Sequence, residues 1–87
     1  MYIARVIGTV VSTSKQDSLI GMKFLVIERL DEHLQRIGES EIAVDSVGAG
    51  TGEMVIVCKG SAARTVLGGQ VPVDTSIVGI IDTVEVG

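Results

Sequence analysis

The chain has 87 residues, too few for more than one domain, so residues 1–87 are read as a single unit. Hydrophobic residues make up 46% of it and mean hydropathy is +0.50, yet the longest unbroken apolar run is Met54-Val55-Ile56-Val57-Cys58, far short of the roughly 18–20 residues of a spanning helix. A net charge of −4 with an isoelectric point near 4.7 argues against a phosphate-backbone partner, and one cysteine permits no internal disulfide.

In chain order, β-branched residues dominate and turn signals recur, which predicts short strands. Tyr2 to Ser12 is the first, and Gly8 within it suggests a bulge. The N-terminal MYIARVIG carries Arg5 in its apolar stretch and has no A-x-A cleavage pattern, so no signal peptide is expected. Thr13 to Ile20 reads as a polar loop and Lys23 to Leu30 as the second strand. Asp31 to Glu39 is a polar connection with a possible helical turn. Glu41 to Val47 is the third strand and Glu53 to Lys59 the fourth. Ser61 is a candidate N-cap for a short helix through Ala62-Ala63-Arg64 that Gly68-Gly69 would stop. Pro72 sits in a linker, and Ser76 to Glu85 is the last strand. The class is all-β: a small five-stranded OB-like β-barrel with one short helix between strands 4 and 5.

A strand with one wet face alternates apolar and polar residues. These strands do not. Tyr2, Ala4, Val6 and Val10 line one face of the first strand, while Ile3, Ile7 and Val11 line the other, interrupted by Arg5 and Thr9. Phe24 and Val26 oppose Leu25 and Ile27; Ile77, Gly79 and Ile81 oppose Val78, Ile80 and Val84. A small barrel has one inside, so the second apolar faces need cover, and another copy of the chain is the simplest cover. The expectation is an obligate homo-oligomer.

Chemistry finds little support. Gly48-Ala49-Gly50-Thr51-Gly52 followed by Glu53 is neither G-x-G-x-x-G nor a P-loop, and a strand follows it instead of a helix. The loop reads as a tight connection, or as a place where small residues let subunits crowd an axis whose charge Glu53 sets. Gly60-Ser61 with Arg64 could hold an anion, which leaves a small anion- or nucleotide-binding oligomer as the alternative. Arg64 pairing with Glu53 or Asp45 is the plainer reading. His33 stands alone in a polar loop, so neither a metal site nor a partner for Cys58 is expected. Tyr2 and Phe24 alone on an acidic chain do not make a stacking groove for single-stranded nucleic acid.

Several stretches together carry a resemblance. They are MYIARVIGTVVST at 1–13, K-x-x-S-L-x-G-x-K from Lys15 to Lys23, AVDSVGAGTGE at 43–53, GSAAR at 60–64 and VDTSIVGIID at 73–82. The chain resembles the EutN/CcmL family, the vertex proteins of bacterial microcompartment shells. The resemblance implies an OB-like barrel, a homopentamer, no enzymatic activity, no cofactor and no metal. It also implies a place in a shell within the bacterial cytoplasm, beside hexameric shell proteins. By the same resemblance the 48–53 loop belongs to the subunit contacts or the central axis, and Lys15 and Ser18 of the 13–20 loop to the rim that meets hexamers.

Overall fold

A computed structural model of the chain describes residues 1–13, 15–66 and 73–87, and the side chains of Arg64 and Val66 also lie outside that description. Five strands close a barrel in the order β1-β2-β3-β5-β4: β1 Tyr2–Val10, β2 Lys23–Leu30, β3 Arg36–Asp45, β4 Met54–Lys59 and β5 Thr75–Ile81. One helix, α1 (Ser61–Val66), lies between β4 and β5 and rests against both, as the sequence suggests. Ser61 opens this helix rather than capping it; Gly60, with φ +70, makes the turn into it. The Gly68-Gly69 stop and the Pro72 linker lie outside the described residues.

All pairings are antiparallel except β3 with β5, which meet only at Val44–Ser76 and Asp45–Ile77. Partners directly opposite share a face, so the register sorts the side chains. Ala4, Val6, Leu25, Ile27, Ala43, Val55, Val57 and Ile77 form a buried core with exposures of 0–1%. Ile3, Val26, Ile42, Ile56 and Ile81 face outward.

Two bulges alter the faces that simple alternation assigns. The register of β1 against β2 shifts between Val6 and Gly8, which leaves Ile7 as the extra residue. Past it, Thr9 stands opposite the buried Leu25, and Val10 stands opposite Phe24 on the outside. Val10 therefore does not share a face with Tyr2, Ala4 and Val6. The bulge falls at Gly8 without depending on glycine, since its φ is not positive and a Cβ there would only touch Val26 at 3.9 Å. A second shift makes Val78 the extra residue of β5. Gly79 and Ile81 then face outward opposite Ile56 and Met54, while Ile80 stands opposite the core residue Val55. Ile77 thus parts from Gly79 and Ile81.

β1 stops at Val10 opposite Phe24, one residue short of the start of β2, and β5 stops at Ile81 opposite the first residue of β4. Both end earlier than the sequence reading has them. β3 instead starts at Arg36, five residues before the expected Glu41, and ends at Asp45. The expected helical turn is a tight connection: the Asp31 carboxylate accepts the backbone N–H groups of His33 (2.8 Å) and Gln35 (3.0 Å), and Leu34 takes φ +63. Asp17–Leu19, within the expected loop, forms one 3-10 turn.

One barrel end is closed by polar residues at inward-facing positions. Tyr2 donates its hydroxyl to Glu41 (3.0 Å), Lys59 pairs with the same carboxylate, and the Arg29 guanidinium lies 4.6 Å from the Tyr2 ring centre. Burial first, then the Glu41 bond, push the Tyr2 phenol above its ordinary pKa. We expect Tyr2→Phe to cost about 1 kcal/mol, read as a lower urea midpoint with an unchanged slope.

Acid should also loosen the Asp31 turn. Hydrogen bonds from the Gln35 and His33 amides hold the Asp31 carboxyl below its ordinary pKa. Its contribution is therefore present above the unfolded-state value and is lost as pH falls through the folded one. Asp31→Asn should remove that part of the acid dependence, measured as midpoint against pH. An unaltered profile would show that the turn is not held this way.

Candidate functional site

The 45–53 segment links β3 to β4, and carboxylates organise it from both ends. Asp45, whose side chain is only 1% exposed, accepts the N–H groups of Val47 (3.0 Å) and Gly48 (3.2 Å) on Oδ1 and that of Ala49 (2.8 Å) on Oδ2. Lys23 Nζ lies 3.9 Å from Oδ2 and donates to the Ala49 carbonyl at 2.9 Å. Glu53 Oε1 accepts the Gly50 N–H at 2.7 Å, and the Glu53 N–H returns to the Gly50 carbonyl at 3.1 Å. Gly52 N–H donates to the Val6 carbonyl (2.8 Å), Val6 N–H to the Glu53 carbonyl (3.0 Å), and the Arg5 guanidinium to the Gly52 carbonyl (3.0 Å).

This pattern bears directly on whether the loop is an anion cradle. Such a cradle offers unspent backbone N–H groups to a ligand. Here the amides of Val47, Gly48, Ala49 and Gly50 already serve two carboxylates of the chain itself. Gly48 (φ +82) and Gly52 (φ +92) supply the left-handed backbone that the tight path requires. Ala49 is fully buried and joins the core, so the loop is anchored to the barrel it spans. Gly50 has no positive φ, and a Cβ there would meet only Glu53 Oε1 at 3.4 Å.

The six loop residues from Gly48 to Glu53 therefore fall together, with Thr51, Gly52 and Glu53 exposed. The side chain of Arg64 lies outside the described residues, so its expected ion pair does too. Lys15 lies over the Phe24 ring, 5.2 Å from its centre, and Ser18 is exposed in the 3-10 turn. Sequence reasoning passed over the structural weight of Asp45 and Lys23. The available signal was an aspartate just before a Ser-Val-Gly run, the pattern by which this side chain bonds backbone two or more residues on.

Among the described residues no group of three or more His, Cys, Asp or Glu side chains could hold a metal ion. No described helix is long and apolar enough to cross a membrane. Cys58 is buried at 6% exposure on the outward side of β4, opposite Ser76. What the surface does offer is apolar area. Ile7 is 44% exposed, Ile42 51% and Ile80 41%, and a shallow groove of about 420 Å³ lies over Ile56.

Comparison with known proteins accounts for a barrel with this surface. The family model described as "Ethanolamine utilisation protein EutN/carboxysome" matches residues 1–82. The chain belongs to this EutN/CcmL family. A microcompartment shell vertex protein of Rhodospirillum rubrum, GrpN, is 56% identical over 86 residues, covering 98% of this chain and 97% of the relative. The structure of the pentameric GrpN shell protein from Rhodospirillum rubrum superposes with a TM-score of 0.92 at 53% identity, covering all of both chains. That of Gloeobacter violaceus CcmL gives 0.92 at 50% identity, over 99% of this chain and 90% of the other. The EutN shell vertex protein of Salmonella typhimurium is 39% identical over the whole chain and 89% of its own length.

Removing the Asp45 carboxylate should unsettle the loop. Water can reach the exposed amides of Val47 and Gly48, but the amide of buried Ala49 would be orphaned. We expect Asp45→Ala to cost about 2–4 kcal/mol and Asp45→Asn less, by equilibrium unfolding. A cost below about 0.5 kcal/mol for Asp45→Ala would mean that the loop is held by other contacts.

Proposed function

We propose that the chain is a structural shell protein whose rings of five copies cap the vertices of a bacterial microcompartment in the cytoplasm. Its partners are then its own copies and the hexameric proteins that tile the shell faces. The observation that carries the reading is the full-length likeness to a pentameric relative. The apolar outer faces of the barrel support it independently, because a single closed barrel has no use for them.

The mechanism is geometric. A sheet of hexagons cannot close into a polyhedron, and pentagons supply the missing curvature. The protein does no chemistry in this role and needs no cofactor. The 48–53 loop, with Arg64, lies at the subunit contacts or around the ring axis, where small residues allow close approach. Lys15 and Ser18 sit toward the rim and meet neighbouring hexamers. Anion binding at the 48–53 loop is disfavoured by the carboxylates that already occupy its amides, and the alternative anion site at Gly60-Ser61-Arg64 is disfavoured by relatives that are shell vertex proteins.

Two outcomes follow. Co-expressed with a hexameric shell protein, the chain should convert open sheets or tubes into closed polyhedra in electron micrographs. Shells that close equally well without it would refute the vertex role. Replacing Gly50 by tryptophan should leave the barrel folded, since only the flexible Glu53 end stands near that position, yet weaken the ring. Unchanged five-copy mass in native mass spectrometry would remove the loop from the contacts.

A further inference from the structure

The barrel has a seam. β3 and β5 run parallel and meet only at Val44–Ser76 and Asp45–Ile77. On the N-terminal side of that contact the two chains part, and a pocket of about 190 Å³ opens there. Its apolar walls are Phe24 and Val44, which stand opposite each other across β2 and β3, with Ile42 and Val73. Asp74 and Thr75, where the chain enters β5, make its polar side. A water molecule's share of the liquid is about 30 Å³, so the space suits an occupant of roughly five or six heavy atoms.

Two features set the charge of that occupant. Asp74 is exposed, and among the described residues its carboxylate meets only the Thr75 hydroxyl, which donates to it at 3.2 Å. The ion pairs formed by described residues go to other carboxylates, Asp45, Glu32 and Glu41. The second feature is Phe24. Lys15 Nζ lies 5.2 Å from its ring centre, so this ring already receives an ammonium group. A carboxylate without a cation, an aromatic ring and apolar walls are together suited to an organic ammonium ion. A bare metal ion is poorly served, since a lone carboxylate offers too few oxygens and no described cluster of three or more ligating side chains exists.

We infer that the seam pocket binds a small primary ammonium ion with a short apolar stem. The charged end meets Asp74, and the stem lies against Val44 and Val73. Phe24 faces the positive charge from the β2 side. Lys15 competes for the same ring and adds a like charge beside it. The pocket is complete within one chain, and it requires its Val73–Asp74 side to stay open when copies associate. Each contact is weak in water, so the affinity falls in the millimolar range.

Butylammonium chloride, titrated into the intact protein and followed by methyl NMR, is the test. The Val44 and Val73 signals should shift together and saturate, and sodium chloride at the same ionic strength should not reproduce the change. The neutral isostere n-butanol should bind more weakly. Asp74→Asn and Phe24→Leu should each weaken butylammonium binding by about three- to fivefold, and Lys15→Met should tighten it. Butanol that binds as well as butylammonium, an Asp74→Asn protein that binds as well as wild type, or a response that never saturates overturns the proposal. Should Phe24→Leu fail to fold, Asp74→Asn, at an exposed position, and the butanol comparison decide. Failure here is separate from failure of the ring reading, because native mass spectrometry counts copies without any amine present.

Discussion

The structure turns on a shortage of interior. Five short strands enclose a core assembled largely from Ala, Val and Ile, with Leu25, Ile27 and Ile77 the largest fully buried side chains. Yet Ile3, Val26, Ile42, Ile56 and Ile81 point the other way. Hydrophobic area left in water forgoes about 25 cal/mol per Å². A small domain has a narrow margin of stability, and extra apolar surface outside does nothing for the isolated chain. It becomes useful when copies associate, which ties the folding of the barrel to the assembly of the ring.

Around that constraint the polar groups are spent on holding shape. Asp45 and Glu53 fold the β3–β4 loop upon itself and Asp31 folds the β2–β3 connection. Glu41 ties Tyr2 to Lys59 at one end of the barrel. Because Glu41 and Lys59 are partly exposed, this pair is worth little as an ion pair. Its larger effect is to give the buried phenol a partner. A rigid subunit is what a closed ring of fixed order requires, since flexing at the contacts would admit other ring sizes.

Much of this was legible in the sequence. β2 was readable as an apolar run between polar segments and α1 from its helix formers Ala62-Ala63-Arg64, although Ser61 is the first residue of the helix and not its cap. The family was readable because AVDSVGAGTGE and GSAAR stand in one chain. Other features were hidden for physical reasons. Alternation reports a face only when one face is polar. Gly8 marked the bulge of β1, but with apolar residues on both sides of the strand nothing showed that it reassigns Val10, and the bulge at Val78 that reassigns Ile80 left no mark. Arg36–Ser40 failed in the opposite way, since a strand wet on both faces reads as a loop. The glycines of the 48–53 loop drew attention to themselves, while the side chain that organises them, Asp45, entered only as a candidate partner for Arg64.

The central claim is that sister chains cover the outward apolar faces and that five of them do so. Sedimentation velocity with native mass spectrometry of the purified chain, taken over a dilution series through low micromolar concentration, tests this most directly. The account predicts one species of five subunits throughout. A stable, folded single subunit at those concentrations, with Ile42 and Ile80 in water, would contradict it.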